Sequence, residues 1–384
     1  MRSRWLRWLG PGVIALGALG SLASTAIGAG ERPWTPRACP DESGERIATA
    51  RSSVPVSLGD LRQQAWFRVD PRLDRAGALE GQRVLLGTNG DRASRVMDLP
   101  PESFAAGPFG RIVLVGSDDG TASRLEAVNV ADGCSWLVGE ESAVIRRATI
   151  DPVGTTVYEM RVDRATRADL GIWTRPLDGS MPSVRVLDPI GVDERFGRTY
   201  ATEFVWDIRG HALAVQSCGE AACRTRVIDP AGGEPRLVAE PDLGALVGLD
   251  GQVMVTYAAC PGLPCPILAT DIATGARSVL ADAGAGAVVV SVPDGTRLVH
   301  EAFGESGLTL RAVNLDGSSA NDLGGLPEGV RLQSSQNVHQ AATRIPPGWI
   351  VLSPERRLPG VPNAQIKLRH VPDGTTVPLE EVVR

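Results

Sequence analysis

Tight glycine turns followed by short apolar runs recur along most of the chain. In "SVPDGTRLVHE" and "IDPVGTTVYEM" the turn leads into a run in which apolar and polar residues alternate. Such alternation is typical of a half-buried β-strand. The turn recurs, at intervals of 41 to 56 residues, at six glycines: Gly110, Gly154, Gly210, Gly251, Gly295 and Gly348.

A second glycine turn lies 22 to 26 residues after each of these positions. Many are Asp-Gly turns, as in "AVNLDG", and glycine accepts the positive φ that hairpin turns require. The second set consists of Gly133, Gly179, Gly232, Gly275, Gly317 and Gly374. Each unit is therefore predicted to contain a strand, a tight turn, a strand, a variable loop, a strand, a second tight turn and a strand.

Four strands in a period of about 40 to 45 residues describe one blade of a β-propeller. Six units are clear, and an earlier seventh is degenerate, with three candidate strands between Gln64 and Pro100. The predicted fold class is all-β, a β-propeller of seven four-stranded blades. The alternative is six blades plus an irregular N-terminal cap.

The unit "SVPDGTRLVHEAFGESGLTLRAVNLDG", from Ser291 to Gly317, resembles the repeat of TolB-like (WD40-like) propellers. The resemblance covers most of the chain from Gly107 to Arg384 and implies a β-propeller. It implies no particular function, because such blades serve many unrelated roles. The helical N-terminal domain of the Tol-system protein is not evident in the sequence, and neither is an α/β-hydrolase domain.

The N-terminus has the pattern of an export signal. Arg2, Arg4 and Arg7 precede an apolar, Gly/Ala-rich stretch from Val13 to Ala29, and small residues around Ala26 offer a cleavage site. We expect a secreted or extracytoplasmic protein. The alternative is an uncleaved signal anchor, although about 17 apolar residues are marginal for spanning a membrane.

These patterns divide the chain into a signal peptide or anchor over 1–30, an arm or linker over 31–63 and the propeller over 64–384. The predicted blades cover approximately residues 64–101, 102–145, 146–190, 199–243, 244–284, 285–332 and 336–384. No later stretch is long and apolar enough to predict a transmembrane helix.

The net charge argues against a nucleic-acid partner. It is −6 for the whole chain, and removing the three arginines of the signal would make it −9. A negative chain does not attract a phosphate backbone. We expect a monomer whose partner is a protein or a cell-envelope component.

Six cysteines, an even number in an exported chain, predict disulfides. Cys218 and Cys223 recur at a shift of 42 residues as Cys260 and Cys265, so each pair occupies the same place in successive units. Each pair flanks the loop between a second and a third strand, where a disulfide can form across a hairpin. Cys39 and Cys134 are left to pair. A four-cysteine zinc site is the alternative, although zinc sites more often use C-x2-C.

No local motif for catalysis is present. H-E-x-x-H, G-x-S-x-G and a P-loop are missing from the sequence. His300 lies on a predicted strand, where a structural role is the simpler interpretation. The acidic pairs Asp118-Asp119 and Glu140-Glu141 could bind calcium, but adjacent acids on turns are ordinary surface, and no cofactor is predicted.

The loops between second and third strands vary most in length and charge, so we expect them to carry binding function. The candidate contacts are Arg161, Arg164, Arg167, Glu355, Arg356 and Arg357. The leading hypothesis is a non-catalytic scaffold that binds a protein or ligand through this variable-loop face. One alternative is a propeller enzyme, a carbohydrate-active hydrolase or lyase, with its site at the channel mouth. The other is a membrane-tethered envelope sensor or assembly factor.

Overall fold

A short N-terminal arm precedes the sheets. The computed structural model describes residues 31–40, 43–52, 57–89, 94–189, 201–208, 210–218, 223–229, 236–238, 243–260, 264–304, 307–333, 345–354 and 366–383. The arm contains β1 (Glu31–Pro33), β2 (Arg37–Ala38), α1 (Ser43–Ser52) and a 3-10 helix (Leu58–Gln63). β1 pairs in parallel with the outer strand of the first sheet. β2 pairs in parallel with the outer strand of the second sheet.

Seven sheets follow one another along the chain. Sheet 1 contains β3 (Ala65–Leu73), β4 (Leu79–Thr88) and β5 (Ser94–Leu99). Sheet 2 contains β6 (Phe104–Phe109), β7 (Ile112–Asp118), β8 (Ser123–Asn129) and β9 (Cys134–Glu141). Sheet 3 contains β10 (Val144–Ile150), β11 (Thr156–Val162), β12 (Asp169–Pro176) and β13 (Val184–Leu187).

Sheets 4 to 7 have the same four-stranded antiparallel order. Sheet 4 contains β14 (Ala201–Trp206), β15 (Leu213–Cys218), β16 (Cys223–Ile228) and β17 (Arg236–Val238). Sheet 5 contains β18 (Leu243–Asp250), β19 (Val253–Ala258), β20 (Cys265–Asp271) and β21 (Arg277–Gly284). Sheet 6 contains β22 (Ala287–Val292), β23 (Gly295–Gly304), β24 (Gly307–Asn314) and β25 (Ala320–Gly325). Sheet 7 contains β26 (Val330–Leu332), β27 (Trp349–Pro354), β28 (Lys367–His370) and β29 (Thr376–Pro378), followed by α2 (Leu379–Val383).

The turn glycines predicted from the sequence shape the hairpins. Gly154 has a φ of 69°, and a Cβ atom there would lie 2.0 Å from the ring of Phe109 in the preceding sheet. Glycine is therefore needed at this turn both for the backbone conformation and for the close approach of the next sheet.

Middle strands such as β7 and β11 have two buried faces, because each of sheets 2 to 6 packs against the sheet before it and the sheet after it. In β11, Val157 packs against sheet 2, whereas Tyr158 and Met160 pack against sheet 4. The ring of Tyr158 meets that of Trp206 edge to face, with centroids 5.4 Å apart. Apolar clusters of this kind join each sheet to the next, from sheet 1 to sheet 7.

The ring is closed by the two ends of the described chain. Leu61 of the 3-10 helix packs with Leu368 of sheet 7 and Leu379 of α2. The side chain of Asn89, at the end of β4, donates a hydrogen bond to the Leu61 carbonyl at 2.9 Å. Sheet 7 therefore contacts sheet 1 through this helix, and the predicted all-β propeller architecture is confirmed.

Sheet 1 differs from the other six. In sheet 2, the N–H of Val130 after the third strand donates to the carbonyl of Arg111 before the second strand. In sheet 1, the equivalent hydrogen bond runs from the N–H of Asn89, after β4, to the carbonyl of Gln64, before β3. β3 and β4 therefore correspond to the second and third strands of the other sheets. Among the described residues no strand occupies the inner position of sheet 1, and the choice between seven blades and six blades with a cap stays a prediction.

All three predicted disulfides are present, as Cys39–Cys134, Cys218–Cys223 and Cys260–Cys265. Cys39–Cys134 links the arm to the outer strand of sheet 2. Disulfides persist in oxidising compartments, which indicates an extracytoplasmic protein. Within the described ranges, no helix is long and apolar enough to cross a membrane. The predicted signal over 1–30 lies outside those ranges.

Candidate functional site

The three arginines predicted as binding residues around the β11–β12 loop face the preceding sheet. The side chain of Arg161 is 4% exposed, and its Nη2 lies 2.8 Å from Glu141 Oε1 of sheet 2. It also pairs with the fully buried Glu159, which accepts hydrogen bonds from Arg175 as well. The Arg161 guanidinium lies 4.4 Å from the ring centroid of Trp173. Arg161 is therefore part of a buried ionic cluster between sheets 2 and 3.

Arg164 makes a bidentate ion pair with Asp118 of sheet 2, with distances of 2.7 and 2.8 Å. The hydrogen bonds from Arg164 lower the pKa of Asp118 to about 2, against the opposing effect of burial. Ser123 and the N–H of Gly120 also donate to this carboxylate. A carboxylate with this many donors is satisfied within the protein.

Arg167 has a φ of 61°, and its guanidinium meets Glu102 through two contacts of 3.0 Å. All three arginines of this loop thus pair with acids of sheet 2 or of the segment that enters it. Glu355, Arg356 and Arg357 lie outside the described residues. A role in binding stays a prediction for all six positions.

The propeller channel is lined by the first strands of the sheets. The first strands of neighbouring sheets contact one another, as β6 does β10, and β18 does both β14 and β22. They all begin on the side of the ring where successive sheets are joined, which we call the connection face. The end of the channel on this side is called the mouth.

Ionisable side chains are rare on the first strands of sheets 2 to 7, which are β6, β10, β14, β18, β22 and β26. Within their first four residues, the only ionisable residues are Arg146, Arg147, Glu203 and Arg331. The other positions there are occupied by alanine, glycine, threonine or larger apolar residues. The first strands all begin on the connection face, so these four residues lie at the same end of the channel, the mouth.

A β-bulge separates the two arginines of sheet 3. The register of β10 against β11 shifts between Ile145 and Arg147, and Arg146 between them is exposed. Bulges of this kind change the direction of a side chain and occur often beside functional sites. Two successive arginines can therefore both contribute charge to the mouth.

Glu203 and Arg147 are partly buried and interact electrostatically. Burial raises the pKa of the Glu203 carboxyl, and the nearby Arg147 charge only partly offsets this effect. Burial likewise lowers the pKa of Arg147, and Glu203 opposes that shift. The arrangement favours a carboxyl group that keeps its proton to a higher pH than an exposed glutamate does.

Arg331 is anchored by a buried glutamate of sheet 6. The side chain of Glu301 is 4% exposed, its Oε1 accepts the N–H of Leu332 at 2.6 Å, and its Oε2 lies 3.5 Å from Arg331 Nη1. About a third of the Arg331 side chain (32%) remains exposed. The backbone of Gly286 passes beside the Glu301 carboxylate, since a Cβ atom there would lie 3.1 Å from it.

His300 lies on the opposite face of the same strand and is 3% exposed. Burial lowers its pKa, which favours the neutral imidazole. Tyr257 packs in the apolar cluster between sheets 5 and 6, and its hydroxyl donates to the Ala285 carbonyl at 3.3 Å. Burial, with a contribution from the Glu301 charge, raises the pKa of Tyr257.

Within the described part of the chain, no three His, Cys, Asp or Glu side chains are grouped so as to hold a metal ion. In the acidic pair Asp118-Asp119, which was interpreted above as ordinary surface, the Asp118 carboxylate contacts Arg164, and Asp119 accepts hydrogen bonds from Thr121 and Ala122.

The site residues predicted from the sequence do not include Arg146, Arg147, Glu203 or Arg331. Their one distinguishing feature is the position of an ionisable residue near the start of a predicted first strand. That feature becomes meaningful only when the strands that line the channel are known.

No family model and no curated protein matches the chain. Among solved structures, it is similar to one from a study of two prolyl endopeptidases, with 13% identity, a TM-score of 0.55 and coverage of 88% of this chain and 52% of that one. The chain is a β-propeller. TolB from Acinetobacter baumannii also matches, with 13% identity, a TM-score of 0.41 and coverage of 71% and 66%. So does an oligogalacturonate lyase in complex with manganese, with 14% identity, a TM-score of 0.43 and coverage of 67% and 76%.

This chain spans about half the length of the endopeptidase and just under two thirds of the length of TolB. The resemblance to TolB-like propellers is confirmed at the level of the fold. The prediction of a non-catalytic scaffold acting through the variable-loop face is wrong, because the solved structures that share this fold include a prolyl endopeptidase. It relied on missing local motifs, whereas residues from separate blades can form a site that leaves no such motif.

Proposed function

We propose that the protein is an enzyme with its site at the mouth of the channel, and that Glu203 is its proton-transferring group. The observation that carries this proposal is the position of Glu203. It is the single carboxylate among the early residues of the described first strands, and its neighbour is the partly buried Arg147.

Proton transfer to a leaving group needs a carboxyl that is still protonated near neutral pH. Partial burial of Glu203 acts in this direction, since it raises the pKa of the carboxyl. Arg147 stabilises the carboxylate that remains once the proton has been transferred. The pair therefore suits a cycle in which Glu203 gives up and regains a proton.

The remaining expectations form part of the same proposal. We propose export through residues 1–30 and a monomeric working state. The three disulfides support an extracytoplasmic location. The closure of the ring through its own 3-10 helix and α2 supports a chain that completes its fold without a second copy.

The test compares wild type with Glu203→Gln, which keeps the shape of the side chain and removes its proton. The two proteins are incubated with tri-galacturonate and with tri-glutamate, and cleavage products are measured by mass spectrometry. General-acid catalysis typically contributes about 100- to 10,000-fold, so Glu203→Gln should lower turnover at least about 100-fold. Glu140→Gln, on the exposed outer strand of sheet 2, is the matched control and should turn over as wild type does. Equal turnover by wild type and Glu203→Gln, or no turnover by wild type, would contradict the proposal.

A further inference from the structure

The arginines at the mouth lie on widely separated sheets. Arg146 and Arg147 belong to sheet 3, and Arg331 belongs to sheet 7. In the order of packing around the ring, sheet 7 is four steps from sheet 3 in one direction and three in the other. The strands that carry the two groups of arginines therefore lie on opposite sides of the ring.

The mouth is positive although the protein is acidic. Three arginines and one glutamate lie at the starts of the described first strands, and Glu301 offsets part of the Arg331 charge, so an excess of one positive charge remains there on a chain whose net charge is −6. A local excess of positive charge on an acidic protein attracts anions and repels cations. Carboxylates match guanidinium groups because two oxygens can accept two N–H groups side by side.

Arg331 is held in place for such a contact. Glu301 fixes one side of its guanidinium, and Leu332, the next residue of the same strand, donates its N–H to the same carboxylate. A guanidinium that is already oriented loses less side-chain freedom when it binds a ligand. Glu301 is thus a positioning residue that acts through Arg331.

We infer that the mouth binds a linear substrate with at least two carboxylate groups, one contacting Arg146 and Arg147 and the other contacting Arg331, with Glu301 orienting Arg331. This inference names the substrate class for the site proposed above and rests on that proposal for the chemistry that follows binding. One carboxylate would reach only one of the two positive centres, so affinity should rise with the length of the ligand.

The test measures binding by isothermal titration calorimetry at low salt. The probes are galacturonate, tri-galacturonate, glutamate and tri-glutamate. At least one trimer should bind wild type at least about tenfold more tightly than its monomer, and added salt should weaken this binding. Binding of only the saccharide or only the peptide identifies the source of the carboxylates. Equal affinity for monomer and trimer, or no binding of either trimer, would overturn the inference.

Variants separate recognition from folding. Arg331→Leu should reduce the affinity for the trimer to that for the monomer, and Arg331→Lys should recover only part of it, since lysine lacks the paired donors. Glu301→Gln should weaken trimer binding about three- to tenfold and leave monomer binding unchanged. Arg124→Leu, on an exposed pair with Glu140, is the control and should bind as wild type does. Trimer binding without turnover in wild type would refute the enzyme and leave the binding site standing. An unchanged affinity in Arg331→Leu would refute the binding site.

Discussion

Arg164 and Asp118 lie 46 residues apart in the sequence and form a bidentate ion pair between sheets 2 and 3. The Asp118 side chain is 5% exposed and that of Arg164 is 27% exposed, so water screens the pair only in part. Together with Arg161–Glu141 and Arg167–Glu102, the pair links these two sheets along the connection face.

Asp118→Asn should destabilise the protein, because it leaves Arg164 without its carboxylate. The folded pKa of Asp118, about 2, is below its ordinary value of 3.8. After allowing for screening, we expect a loss of about 1 to 2 kcal/mol in the free energy of unfolding at pH 7. The stabilisation from this carboxylate is complete above pH 4 and is lost as the pH falls towards 2. Urea unfolding between pH 2 and 7 should therefore show that the difference in free energy of unfolding between wild type and variant decreases in acid. A difference that does not depend on pH would contradict the assignment.

Glu203 should show the opposite pH dependence. Its folded pKa is raised by burial, so the folded state favours the protonated form. Its contribution to stability is present below the pKa of the unfolded chain and is lost as the pH rises through the folded pKa. Glu203→Gln stays neutral, so its free energy of unfolding relative to wild type should increase between pH 4 and 8. Chemical denaturation across this range measures the difference, with Glu140→Gln as a control that should follow wild type throughout.

Gly154→Ala should be much more harmful than the same change at Gly251. Both glycines have positive φ, at 69° and 57°, but a Cβ at 154 would lie against the ring of Phe109, whereas at 251 nothing lies within 4 Å. Backbone strain alone costs about 1 kcal/mol, and the clash should bring the loss at 154 to about 3 kcal/mol. Thermal melting of the two variants side by side provides the comparison, and similar losses would argue against close packing at that turn.

The disulfides should differ in how much they stabilise the folded protein. Cys39–Cys134 spans 95 residues and Cys218–Cys223 spans 5. By chain entropy, closing the long loop stabilises by about 4 to 5 kcal/mol and closing the short one by about 2 kcal/mol. Replacing both cysteines of a pair by serine, followed by urea unfolding, should therefore show the larger loss for the arm. A larger loss for the hairpin pair would mean that the arm contributes little to the fold.

Much of the architecture could be predicted because its causes are local. Turns such as those at Gly154 and Gly295 need glycine for backbone conformations that other residues avoid, so they repeat visibly in the sequence. The strands between them follow the alternation of apolar and polar residues. The spacing of Cys218 and Cys223, repeated at Cys260 and Cys265, likewise predicts two disulfides on hairpins.

The repeat, the strands, the turns and the two hairpin disulfides could be predicted from the sequence alone, since each depends on residues close together in the chain. The pairing of Cys39 with Cys134, 95 residues apart, followed only because the other four cysteines were already paired. The contact of Arg164 with Asp118, the closure of the ring through the 3-10 helix of the arm, and the placement of Glu203 at the same end of the channel as Arg331 became evident only in the tertiary structure. These relationships join residues of different sheets, and the stacking of apolar faces sets which side chains meet. A period in the sequence defines the shape of each blade, whereas the charges that meet across the channel depend on the packing of the whole ring.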